Sequence, residues 1–245
     1  MGDPYIPIGI LGKDAIRKNA FINSHIETQR LVLSKEKSYV LHFGKKSNCL
    51  IPCPTLKVHQ DTMEQKQSTK YLGNILSTKG GQEDNIEDRR SRGWGKIATI
   101  MGILSEVDMG VHKLEVGLML RQAILISSML YSAEAWSGVT DKQLARLEVV
   151  DSSLLRRLSG GHVKCPTEFL HLETKTWKLR HHLTYLRLVY HHHILTREDG
   201  ETIKRVYLKQ KEKSTKGDWV ELLKHDFEFI GQEQIDKEIV KMSKN

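Results

Sequence analysis

From residue 82 onward apolar residues recur at intervals of three and four, as in Leu144, Leu147, Leu154, Leu155 and Leu158, and in Leu179, Leu183, Leu186, Tyr190 and Ile194. That spacing keeps them on one side of a 3.6-residue repeat and predicts amphipathic helices around a shared core. Gly110, Gly138, Gly160, Gly161, Gly200 and Gly217 interrupt the pattern, and Thr140 and Asp218 stand where helix N-caps are wanted. About six helices joined by short loops are predicted. The first 80 residues read differently. Ala15 to Ile26 has helical spacing, while Arg30 to Leu33 and Tyr39 to Phe43 are short β-prone runs that predict a hairpin around Ser34 to Lys37. Thr55 to Val58, after Pro52 and Pro54, and Tyr71 to Leu76, before Gly80 and Gly81, are further extended candidates. The expected fold is α+β and predominantly α: a small antiparallel sheet in residues 1–80, then a helical domain over 81–245.

With 245 residues and 39% hydrophobic content the chain can bury a real core. Its longest apolar run, Val116 to Tyr131, is broken by Arg121 and Gln122 and is too short and polar to span a bilayer, so it is predicted to be a buried helix and no membrane partner is expected. The N-terminal MGDPYIPIGI lacks a basic stretch and a cleavage site, and Cys49, Cys53 and Cys165 form a sparse, odd set. Both features point to a reduced intracellular setting, nucleus or cytoplasm.

The net charge of +8 is unevenly placed. Residues 1–80 carry 12 Lys and Arg against 6 Asp and Glu, residues 81–174 carry 11 against 13, residues 175–216 carry 11 against 4, and residues 217–245 carry 4 against 7. Two basic blocks are what a phosphate-binding surface needs, although moderate basicity also occurs in proteins that bind no nucleic acid.

Seven segments, taken in order, carry a resemblance. RLVLSKEKSYVLHFGKK, TLKVHQDTM and STKYLGNILSTKGGQEDNIEDRRSRGWGKI resemble the end of the palm and the start of the thumb in non-LTR retrotransposon reverse transcriptases. GLMLRQAILISSMLYSAEAW, LARLEVVDSSLLRRL, PTEFLHLET and LRLVYHHHIL resemble the helical region after that thumb, so the likeness covers nearly the whole chain. It implies an RNA-directed DNA polymerase ancestry. Lys37 takes the place of the palm lysine that would protonate the leaving pyrophosphate or act on it by charge alone; the alternative is a solvated turn lysine beside Lys35. Lys70, Tyr71, Leu72 and Gly73 match the primer-grip turn, where glycine would let backbone approach backbone. Arg89, Arg92 and Lys96 fall on one helical face where the family's thumb meets the primer–template backbone; they could equally be a solvated face paired with Asp84, Glu87 and Asp88.

Phosphoryl transfer in this family uses two metal ions held by carboxylates, including an adjacent aspartate pair. No Asp-Asp pair occurs here, and Gly12 runs directly into Lys13-Asp14-Ala15-Ile16, as if the hairpin bearing it had been deleted. The fingers and first catalytic aspartate would lie upstream of Met1. The expectation is therefore a fragment that binds RNA, RNA–DNA hybrid or DNA without polymerising alone. It needs no cofactor of its own, and Mg2+ enters only if an upstream reverse-transcriptase half is supplied. The alternative is a helical protein-interaction scaffold or an inert relic.

Other constellations are weaker. His181, His182, His191, His192 and His193, like His162 with Cys165, lack the spacing of metal ligands, so no metal site is predicted and the histidines are read as a polar or phosphate-facing helix side. Nucleophile-elbow and Walker signatures are absent from the sequence. Trp136 is expected in the core. Lys209, Lys211 and Lys213 are read, with Arg89, Arg92 and Lys96, as contacts to a nucleic-acid backbone; Trp219 follows them and Lys216, so it is the tryptophan expected at the surface, where it could stack on a base or cap the last helices.

Overall fold

The computed structural model describes residues 61–106 and 112–231, together with residues 20–21, 23–25, 28–29, 39–41 and 57–58. The fold is α+β and predominantly α. The chain divides into two compact units, Met1–Gly80 and Gly81–Asn245.

In the first unit, residues 20–21 and 23–25 are helical, within the stretch where helical spacing was read. Three strand pairs follow: β1 (Tyr39–Val40) runs parallel to β4 (Glu64–Gln65), β2 (Lys57–Val58) antiparallel to β3 (Asp61–Thr62), and β5 (Ser68–Tyr71) antiparallel to β6 (Asn74–Ser77). The antiparallel pairs match the small antiparallel sheet expected, and the β1–β4 pair adds a parallel one. The predicted strand Tyr71 to Leu76 is also divided, because Leu72 and Gly73 both have positive φ, 44° and 81°, and form a two-residue turn opposing Tyr71 to Asn74. A turn left-handed at both central positions matches the twist of a hairpin. Glycine takes this conformation freely, whereas Leu72 holds it against its own Cβ. Lys37, the Arg30 to Leu33 run, Cys49 and Cys53 lie outside the described residues.

Among its described residues the second unit holds seven α-helical stretches and a short 3-10 turn, Ala133–Ala135. α1 is Glu83–Glu106; α2 is Lys113–Leu120, continuing through a π-helical stretch, Arg121–Ile126, and a last α turn, Ser127–Met129; α3 is Asp141–Ser159; α4 is Thr167–Glu173; α5 is Leu179–Leu195; α6 is Thr202–Glu212; and α7 is Trp219–Phe229. The capping signals act as read. The Thr140 hydroxyl accepts from the Gln143 amide while the Gln143 side chain accepts from the Thr140 amide, closing a capping box on α3, and Asp218 accepts from the Glu221 amide at the start of α7. The stretch 161–200 holds two helices where glycine punctuation marked one. Lys175 sits at φ 51° between α4 and α5, and the Thr174 hydroxyl donates to the Leu170 carbonyl at 2.6 Å, ending α4 without glycine.

Two hydrophobic clusters hold these helices. The larger joins α1, α2, α3 and the start of α5 through Ile86, Ile97, Ile100, Leu125, Met129, Trp136, Leu147, Leu154 and Leu179. The smaller joins α5, α6 and α7 through Ile194, Tyr207, Trp219, Val220 and Leu223. Trp136 is buried as expected, but so is Trp219, whose ring meets Tyr190 and Tyr207 edge-on and whose indole N–H donates to the Glu134 carbonyl at 2.7 Å. This corrects the surface assignment: a carbonyl partner within reach removes the penalty of burying the indole nitrogen.

Gly93 marks the tightest approach of α1 to its neighbours, since a Cβ there would lie 2.8 Å from Met129 Sδ and 2.9 Å from Val150 Cγ1. Gly95 is exposed on the same helix and a Cβ there meets nothing within 4 Å. Gly93→Ala is expected to lose about 1–3 kcal/mol by overpacking, while Gly95→Ala gains about 1 kcal/mol from helix propensity. Urea unfolding midpoints separate the two; a gain at both positions would show that α1 is not packed as described.

Candidate nucleic-acid interface

The α1 stripe predicted to meet a phosphate backbone is divided by the fold. Core-facing positions on α1 run Ile86, Arg89, Gly93, Ile97, Ile100 and Leu104, at intervals of three or four, so Arg89 occupies a core register. It is 1% exposed, donates to the Ser128 carbonyl at 3.2 Å and lies over the Tyr131 ring at 5.3 Å from its centroid. Arg89 thus ties down a carbonyl near the end of α2 instead of sharing the surface with Lys96, which corrects its assignment as a backbone contact. The sequence held the signal, because the gap between Ile86 and Gly93 needs an inward residue at 89 or 90. Arg92 pairs with Asp88 at 2.8 Å and Arg90 with Glu87 at 2.8 Å, as in the alternative of a self-paired face; Lys96 is exposed.

The basic segment at α6 has a different character. Arg205, Lys209 and Lys213 are exposed and succeed one another every four residues, which gathers them on one side of α6 and its C-terminal end, with Glu212 beside them. Lys211 is also exposed, but residues two apart face opposite ways, so it stands away from Lys209. Lys204 is drawn inward, donating to the Arg197 carbonyl at 2.7 Å and pairing with Asp199 at 2.8 Å, where it neutralises the C-terminal end of α5. The five helix histidines do not form one polar side. His191 is buried and bonded to the Tyr207 hydroxyl at 3.0 Å, whereas His192 and His193 are exposed. Trp94 and Trp177 are both exposed; Trp177 is the more accessible at 53%, with its ring 6.1 Å from Tyr185 and 5.6 Å from His182. In the first unit, Lys70 and Leu72 of the primer-grip-like turn are exposed, and Tyr71 and Gly73 are half-buried.

The helices presenting these side chains are oriented by a buried polar junction. Arg121, at the start of the π-helical stretch, donates Nε and Nη2 to the two carboxylate oxygens of Asp151 at 2.6 Å each, and Nη2 also donates to the Trp177 carbonyl at 3.1 Å. One turn before Asp151, Glu148 accepts from the Arg180 amide at 3.3 Å and so caps the N-terminal end of α5, where Lys178 offers no side-chain cap. Burial, then the neighbouring Asp151 charge, raises the Glu148 carboxyl above its usual range. Burial also holds His171 and His182 below the ordinary imidazole value, with the Arg121 charge adding to the effect on both.

Comparison of the chain with protein-family models, curated proteins and solved structures finds no match.

Removing one partner of the junction leaves an uncompensated buried charge, so Arg121→Met and Asp151→Leu are each expected to cost about 3–5 kcal/mol. The double variant, which leaves neither charge behind, should lose less than the sum of the two. A double-mutant cycle on urea unfolding reads the difference, and additive losses would deny the pair its coupling.

Proposed function

We propose that this chain is a reverse-transcriptase-derived fragment that has lost polymerase chemistry and binds RNA or RNA–DNA hybrid by its phosphate backbone, through the helical unit. The observation that carries this reading is the exposed, four-spaced set Arg205, Lys209 and Lys213, in a segment with 11 basic against 4 acidic residues. A cationic row on a helix reaches successive phosphates without reading bases, which gives affinity with little sequence preference. Trp177 and Tyr185 supply aromatic faces on which an unpaired base could stack. The absence of an Asp-Asp pair from the sequence removes the family's means of holding two metal ions, so binding without extension is the reading.

A second reading, a helical scaffold for another protein, rests on the exposed apolar side chains Phe169, Leu172, Trp177, Tyr185 and Val189 of α4, α5 and the turn between them. Apolar exposure of this kind is a mark of association surfaces. Capture of a partner protein that persists after nuclease treatment would favour it.

Fluorescence anisotropy with a labelled RNA–DNA hybrid across a salt series, with primer extension alongside, tests the main reading. Affinity should fall steeply with salt, with no extension. The triple variant Arg205→Glu, Lys209→Glu, Lys213→Glu should weaken binding at every sequence tested, and should reduce the slope of log K against log salt by about 2–3, roughly 0.9 per lost phosphate contact. Salt-independent affinity, or no binding at micromolar protein, would sink the proposal.

A further inference from the structure

Beside the Arg121–Asp151 pair lies a set of three donors. His171 Nε2, a Glu148 carboxylate oxygen and an Asp151 carboxylate oxygen all fall within 4.8 Å of one another. His171 is 5% exposed, and its Nε2 faces Glu148 Oε2 at 3.8 Å; both atoms are buried without a hydrogen-bond partner among the described residues.

The hydrogen bonds around this set fix its protonation. The Thr174 hydroxyl donates its single proton to the Leu170 carbonyl at 2.6 Å, so toward the Thr176 hydroxyl, 2.9 Å away, it can only accept. Thr176 therefore spends its own proton on Thr174. Toward His171 Nδ1, at 3.0 Å, Thr176 in turn can only accept, and Nδ1 must carry the proton. In the neutral ring this leaves Nε2 as a bare lone pair. A lone pair and a carboxylate oxygen, both atoms buried, then face each other across 3.8 Å, with a second carboxylate alongside. Asp151 already accepts from Arg121, but among the described residues His171 Nε2 and Glu148 Oε2 face each other with no donor between them, an arrangement that a cation would satisfy.

We propose that Glu148, Asp151 and His171 form a binding site for one divalent transition-metal ion, of the zinc class, that links α3 to α4. A histidine and two carboxylates are suitable ligands for such an ion, and a metal about 2.1 Å from each sets the donors about 3.4 Å apart, so the set would contract from 3.8 Å between His171 and Glu148 and from up to 4.8 Å overall. The supporting contacts match those of metal sites. Thr176 holds the His171 tautomer, the Arg180 amide holds the other Glu148 oxygen, and Arg121 holds Asp151. The Arg121 charge opposes the metal and places its affinity below that of a thiolate site. The competing occupant is a proton shared between Glu148 and His171, consistent with the raised Glu148 carboxyl, and proton and metal exclude each other there.

Equilibrium dialysis of the full chain against ZnCl2 at neutral pH tests the site, with Co2+ absorption as a second reading. Binding of one ion per chain is expected, weakened at least tenfold in Glu148→Gln and His171→Gln, weakened in Thr176→Val, and unchanged in a Cys165→Ser, His192→Gln, His193→Gln control. Melting temperature should rise by roughly 5–10 °C at a hundredfold excess over Kd. Should the ligand variants fail to fold, the wild-type Co2+ spectrum decides: visible d–d bands without a sulfur charge-transfer band support the site. No binding, binding retained in both ligand variants, a thiolate band, or loss of binding in the control would each overturn it, the first in favour of the shared proton.

Discussion

The helical unit depends on placing a fully buried carboxylate, Asp151, within the amphipathic core face of α3. An isolated carboxylate there would be prohibitive, so the fold has to deliver a cation to it. Arg121 does so from α2, with both Asp151 oxygens engaged, and its remaining reach fixes the Trp177 carbonyl ahead of α5. Three elements distant in sequence are thereby held to one register. Glu148 adds a fourth constraint by capping α5 from the side of α3. Hydrophobic clusters accept many similar packings; a bidentate guanidinium–carboxylate pair accepts few. The specificity of this helix arrangement therefore rests more on the junction than on apolar area.

Much of the helical framework was legible in the sequence because it follows from periodicity and punctuation: the spacing of Leu144, Leu147, Leu154 and Leu155, the Thr140 capping box and the Asp218 cap. What was illegible came from side chains whose burial is decided by a partner far along the chain. Trp219 follows four lysines and reads as exposed until the Glu134 carbonyl, 85 positions away, is found to accept its N–H. The break at Lys175 rests on threonine hydroxyls, with no glycine to announce it. Arg89 is the intermediate case, where charge type argued for the surface and spacing argued for the core. Spacing prevailed because the guanidinium could carry its hydrogen bonds inward to Ser128 and its charge over Tyr131.

The candidate metal donors were missed for a related reason. Searches by spacing look for paired ligands a few residues apart, and Glu148 and Asp151 do lie one turn apart on α3, but acidic residues at that interval are commonplace on solvated helices. Only the fold shows that both face inward and that His171, from a short helix 20 positions on, closes the set. The histidine-rich run from 181 to 193 drew attention by composition, while the residue that matters sits alone in the sequence.

Net charge by segment overstates what a basic block can offer to a ligand. Among the eleven cations of residues 175–216, Arg187 is buried against Asp226 at 2.7 Å, Lys204 serves the end of α5, Lys178 pairs with Glu168 at 2.9 Å and Arg180 pairs with Asp141. The first two are built into the helix contacts, and the last two are at least partly neutralised at the surface. A count of positive residues would give the whole segment one role, yet the fold divides it between holding α5 in place and presenting charge along α6. Arg205, Lys209 and Lys213 stand out because their spacing of four keeps their charges together while the helix core stays satisfied by Tyr207 and Ile203. A phosphate backbone responds to that local concentration of charge, since each contact contributes by displacing its own counterion whatever the total charge of the chain.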